Sequence, residues 1–63
     1  MKRTSLLRHL RHQGCHLKRD ARSHSLWANA ATGAAEAVPR HQEVPERLAL
    51  KICRGLSVRR AVG

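Results

Sequence analysis

The stretch that decides the fold is Cys15-His16-Leu17-Lys18-Arg19-Asp20-Ala21-Arg22-Ser23-His24-Ser25-Leu26-Trp27-Ala28. Its first five residues alternate apolar and polar, the period-two pattern of a half-buried strand, with Cys15 and Leu17 turned toward a core. Asp20-Ala21-Arg22 reads as a turn, because Asp suits the first position of a type I turn and the centre of that turn needs no positive φ. A second strand is expected from Ser23 to Ala28, ending at the turn-forming run Asn29-Ala30-Ala31-Thr32-Gly33. A third runs from Ala34 to Val38 and stops at Pro39. Three short strands with turns between them suggest an antiparallel meander.

Outward from this centre the period changes to that of a helix. Upstream, Leu6, Leu7 and Leu10 recur at three- and four-residue spacing, while most of the basic residues fall elsewhere. A first helix is expected from about Ser5 to Gln13, capped by Thr4 or Ser5 and closed by Gly14. Downstream, Pro45 suits a first helical position and Glu46 the positive end of a helix. Leu48, Ile52 and Leu56, with Ala49 and Cys53, form the buried stripe of this second helix, and Gly55 is expected to end it. The fold class is therefore α+β, α-β-β-β-α, with two helices on one face of a three-stranded antiparallel sheet. Double-stranded-RNA-binding-like folds share this order and recognise mainly shape, phosphate and 2′-hydroxyl. Residues 1–58 form the expected single domain and 59–63 a loose basic tail.

Size and charge narrow the function. A chain of 63 residues buries only about 60% of the surface it would expose unfolded, so a deep enclosed pocket or a separate cofactor domain is excluded. Thirteen Lys and Arg against four acids give a formal charge of +9, which points to an anionic partner. The charge flanks a nearly neutral middle: residues 1–22 carry +6, 23–39 carry −1 and 40–63 carry +4. The opening MKRTSLLRHLRH begins like a signal peptide, but Arg8, His9 and Arg11 break its apolar stretches. No run approaches the length of a membrane span. A cytoplasmic location without membrane contact is expected, with Cys15 and Cys53 as buried thiols. The His and Cys residues do not reproduce the paired spacings of structural zinc sites, so no metal and no cofactor is expected.

Four local features come together in order: KRTSLLRHLRHQGC at 2–15, SHSLW at 23–27, NAATG at 29–33, and VPRHQEVPE at 38–46 leading to ICRGL at 52–56. Together they resemble the HicA toxin family of bacterial toxin–antitoxin pairs, over about residues 2 to 58. The family pattern has a basic amphipathic helix ending in Gly (here Gly14) and a Gly-Ser-His motif at the second strand. It continues with a turn containing Gly (Gly33) and Val-Pro-Arg-His before the last helix (Val38 to His41). One position departs from it: Arg22 stands where the family has the Gly before Ser23-His24.

The resemblance implies an endoribonuclease that cleaves messenger RNA with His24 as the essential residue, and a HicB-type antitoxin as protein partner. RNA supplies its own nucleophile in the 2′-hydroxyl, so such an enzyme needs only a proton acceptor, a proton donor and positive charge at the phosphate. An imidazole titrating at about 6.5 can take either proton role. Lys18, Arg19, Arg22 and Arg40 are the cations expected around the phosphate, with His41 either a further RNA contact or partner acid, or a residue holding backbone groups at the approach to the last helix. His9, His12 and His16, lying among arginines, read as solvated charges or phosphate contacts. Trp27, the only aromatic residue, alternates with His24 and Leu26 and is assigned to the core rather than to base stacking. The alternatives are a module that binds RNA without cutting, a degenerate toxin that only binds its antitoxin, and a chain that folds only with a partner.

Overall fold

A computed structural model describes residues 1–62, so Gly63, the last residue of the expected tail, lies outside the described residues. The elements are α1 (Arg3–His12), β1 (Cys15–Asp20), β2 (His24–Asn29), β3 (Ala35–Pro39) and α2 (Glu46–Gly55). The sheet has the order β1-β2-β3 with both pairs antiparallel. This is the α-β-β-β-α architecture that the periodicities indicate, with each strand boundary within a residue of expectation.

Leu6, Leu7 and Leu10 of α1, Ala49, Ile52 and Cys53 of α2, and Trp27 and Val38 of the sheet join Cys15, Val44 and Leu56 in one buried cluster. Both helices therefore cover the same face of the sheet. The strand period of two puts Ser25, Trp27 and Asn29 beneath the helices, where all three are buried, and His24, Leu26 and Ala28 on the other face, where His24 is exposed, Leu26 partly so and Ala28 buried. Cys15 and Cys53 are both buried and free, as expected. Leu17 is not buried. It pairs with Trp27 and shares its face, but β1 is an edge strand that the helices do not fully roof, which leaves Leu17 47% exposed.

The helix ends differ from the sequence reading. Thr4 and Ser5 lie inside α1, whose N-cap is Lys2 without a side-chain cap bond. Backbone from the β3–α2 loop stands in for the missing cap: Arg3 N–H donates to Gln42 O at 2.8 Å, Val44 N–H donates to Met1 O at 2.8 Å, and Lys2 bridges to Glu43. Gly14 takes φ 87° just past α1, as expected of a helix-closing glycine. At α2 the left-handed position falls on Ser57 (φ 58°), while Gly55 is the last helical residue. A side chain at 55 would meet the flexible end of the Glu36 side chain, which would have to move aside. The buried Asn29 locks the far end of β2, its Nδ2 donating to Leu56 O at 2.8 Å and its Oδ1 accepting from Ala31 N–H at 2.9 Å.

The segment after 58 has no helix or strand through Val62. Val58 and Ala61 nonetheless pack on the core, and His9 Nε2 donates to Arg59 O at 2.7 Å. Among the described residues no helix is long and apolar enough to cross a membrane.

Candidate nucleic-acid interface

The open face of the sheet is built by register. Residues opposite each other in an antiparallel pair share a face, and β2 is central, so its outward residues collect neighbours from both sides. Leu26 pairs with Arg19 and Ala37, Ala28 with His16 and Ala35, and His24 with Pro39. The result is a shallow floor of small apolar side chains bordered by His16, Arg19 and His24. Arg19 and His24 are diagonal neighbours, about 7–8 Å apart or somewhat less between Cβ atoms in such an arrangement.

A bulge creates this set. The register of β1 against β2 shifts between Leu17 and Arg19, leaving Lys18 as the extra residue. Strict alternation would place Lys18 opposite Leu26 and turn Arg19 toward the helices. The bulge instead brings Arg19 to the His24 face and turns Asp20 inward, opposite Ser25. Nothing in the local sequence marks a bulge at this lysine.

His24, the first residue of β2, is exposed. The Ser23 hydroxyl lies 3.3 Å from its Nδ1, and a hydroxyl donating there leaves the ring proton on Nε2. Arg22 and His41 are exposed at the same end of the sheet, in the β1–β2 turn and the β3–α2 loop. The turn is closed by Ala21 N–H donating to His24 O at 3.0 Å. Ser57 is the only non-glycine residue with positive φ among those described, so Arg22 occupies the turn without the strain that a glycine there would relieve.

Arg40 reaches the same end but is not a free cation. Its Nε donates to Ala21 O at 3.0 Å and its Nη2 to Asp20 Oδ1. Asp20 also accepts from Ser25 Oγ at 2.8 Å. These contacts hold its carboxyl below the usual carboxylate range, with the Arg40 bond as the larger cause and Ser25 next. The partner shift agrees, since Asp20 raises the Arg40 guanidinium. A depressed carboxylate favours the fold above its unfolded pKa, and that contribution disappears only as pH falls through the lower, folded value. The pair is therefore intact at neutral pH. Sequence reasoning missed Asp20, Ser25 and Arg3 because their roles depend on the bulge and on contacts across three strands.

Among the described residues no group of three or more His, Cys, Asp or Glu is arranged to hold a metal ion.

No family model, curated protein or solved structure matches the chain. The candidate site accordingly rests on its own geometry and on the motifs it contains.

Proposed function

We propose that this protein is a metal-independent endoribonuclease of the HicA kind, a toxin that cleaves messenger RNA and is held in check by a HicB-type antitoxin covering its basic face. One observation carries the reading: the exposed His24 lies on the open sheet face beside Arg19, at the end where Arg22 and His41 emerge. In this chemistry the 2′-hydroxyl attacks the adjacent phosphorus as a base takes its proton, and the 5′-oxygen leaves as an acid protonates it. His24 serves one of these roles. Arg19 and Arg22 meet the charge that develops on the phosphate oxygens. Purified protein should cut single-stranded RNA equally well with and without EDTA, and should fail when the nucleotide at the cut site is 2′-deoxy. Loss of all cleavage in chelator would sink the mechanism.

A second reading, a module that binds RNA without cutting it, draws on the sparse support of the imidazole, whose one side-chain partner among the described residues is Ser23. Both readings require electrostatic binding. With Lys18, Arg19 and Arg22 each neutralising a phosphate, the salt slope is about −0.7 per contact for a single strand, so affinity should fall about 20-fold between about 50 and 200 mM salt. Affinity that stays flat over that range would remove the RNA surface from both.

Arg22 separates a gain of charge from a loss of turn geometry. Because the turn is unstrained, Arg22→Gly should weaken RNA binding a few-fold, reduce the salt slope by about 0.7 and leave the cleavage rate unimproved. A several-fold rise in rate would show that Arg22 impairs the site.

A further inference from the structure

Arg40 looks from sequence like one more phosphate contact, yet its guanidinium is engaged on the far side of the sheet. It follows Pro39, which pairs with His24 across the β2–β3 ladder, and its bonds go to Asp20 and Ala21 at the end of β1. Since β2 lies between these strands, the side chain and its hydrogen bonds together reach past the end of β2 where His24 begins. The bonds also close a circuit. Arg3 Nε donates to Pro39 O at 2.7 Å and its Nη2 to Ser25 Oγ at 3.1 Å. Ser25 Oγ donates to Asp20 Oδ1 at 2.8 Å, where Arg40 also bonds. His24 is bonded to one member of this circuit, Ser25, and lies opposite another, Pro39. Apart from Arg40, the turn beneath it is closed by the single Ala21–His24 backbone bond.

We infer that Arg40 and Asp20 are positioning residues: a strap across the end of the sheet that fixes the Ala21–His24 turn and thereby aims the imidazole, with Arg40 serving geometry rather than binding phosphate. The inference rests on the ribonuclease reading only for its catalytic consequence. Both side chains are about half exposed, 42% for Arg40 and 51% for Asp20, and pairs of that exposure add little to stability. The fold should therefore survive the loss of either partner.

The test is a double-mutant cycle on the full chain with Arg40→Lys, Asp20→Asn and the double variant. Arg40→Lys keeps the charge but loses the planar fork that serves Ala21 O and Asp20 together. Each single variant should lower kcat by about 10- to 100-fold, the scale expected of a misplaced catalytic group. KM and RNA affinity should stay within a few-fold, and the double variant should be no worse than either single one, the mark of a shared interaction. Hydrogen exchange at the Ala21 amide should quicken about tenfold or more in both single variants, reporting local opening of the turn. Unchanged exchange overturns the strap. So does Asp20→Asn binding RNA more tightly at undiminished kcat, which would make Arg40 a phosphate contact that Asp20 screens. If the parent protein does not cleave RNA, the ribonuclease reading falls, and the exchange measurement still decides the strap.

Discussion

His24→Ala should lower the rate of RNA cleavage by about 10²–10⁴-fold, the usual contribution of a general acid or base, while RNA affinity stays within a few-fold. The two quantities should separate because the substitution removes the proposed proton-transfer group and none of the thirteen Lys and Arg residues available to attract a polyanion. The fold should not respond either, since His24 is exposed and its side-chain partner is the neighbouring Ser23 hydroxyl. Growth inhibition on expression should vanish together with cleavage. Matched circular dichroism spectra of the two proteins would establish that the loss is chemical. A variant that cuts at the parental rate removes His24 from the mechanism and makes His41, exposed at the same end of the sheet, the next residue to substitute.

Trp27→Ala should remove a large part of the protein's stability, lowering Tm by about 12–40 °C at about 4–8 °C per kcal/mol for a domain of this size. A chain of 63 residues has a stability of about 3–9 kcal/mol at the usual 0.05–0.15 per residue, and removing a buried aromatic ring costs about 3–5 kcal/mol. Trp27 is 2% exposed, and no other aromatic side chain is present to fill the space. The Arg11 guanidinium over its ring, 5.1 Å from the centroid, would lose its partner as well. Trp27→Phe should behave quite differently. It keeps most of the apolar volume and removes an indole N–H that is buried without a hydrogen-bond partner, so part of the lost packing is offset. A cooperative thermal transition shifted much less in Trp27→Phe than in Trp27→Ala is the expected pair of results. Burial keeps the Trp27 ring from stacking on bases, so RNA affinity should be unchanged in Trp27→Phe, and a fall of more than tenfold in that folded variant would return the ring to the binding surface.

The fold was legible where one periodicity governed a segment. Leu48, Ala49, Ile52 and Cys53 announce the apolar face of α2, and the alternation through Ser25, Trp27 and Asn29 is enough to assign Trp27 to the core. The open face of His24 follows from the same alternation. What could not be read depends on partners distant in sequence. Thr4 and Ser5 resemble caps, but the pairing of residues 1–3 with 42–44 starts α1 earlier. Leu17 keeps the correct parity and is still half exposed, because roofing by helices is a tertiary property. Arg19 and Asp20 exchange faces through the Lys18 bulge, which moves one basic residue onto the candidate site and sends the acid to Arg40. The resemblance singles out His24 and Arg40 alike, whereas in the structure His24 is exposed and Arg40 is bonded to Asp20 and Ala21.

The bulge also bears on how many molecules of this protein can coexist in solution. A three-stranded sheet has two unpaired borders, and a straight border with free amides can template the addition of another chain. At β1 the extra residue interrupts the ladder, and that residue is a lysine, so a second copy meets both a mismatched spacing and a like charge. Straightening this border by deleting Lys18 would restore an even ladder, and the protein should then self-associate at concentrations where the parent stays dispersed. The irregularity that carries Arg19 to the open face would thus also act as a guard against fibril-like stacking.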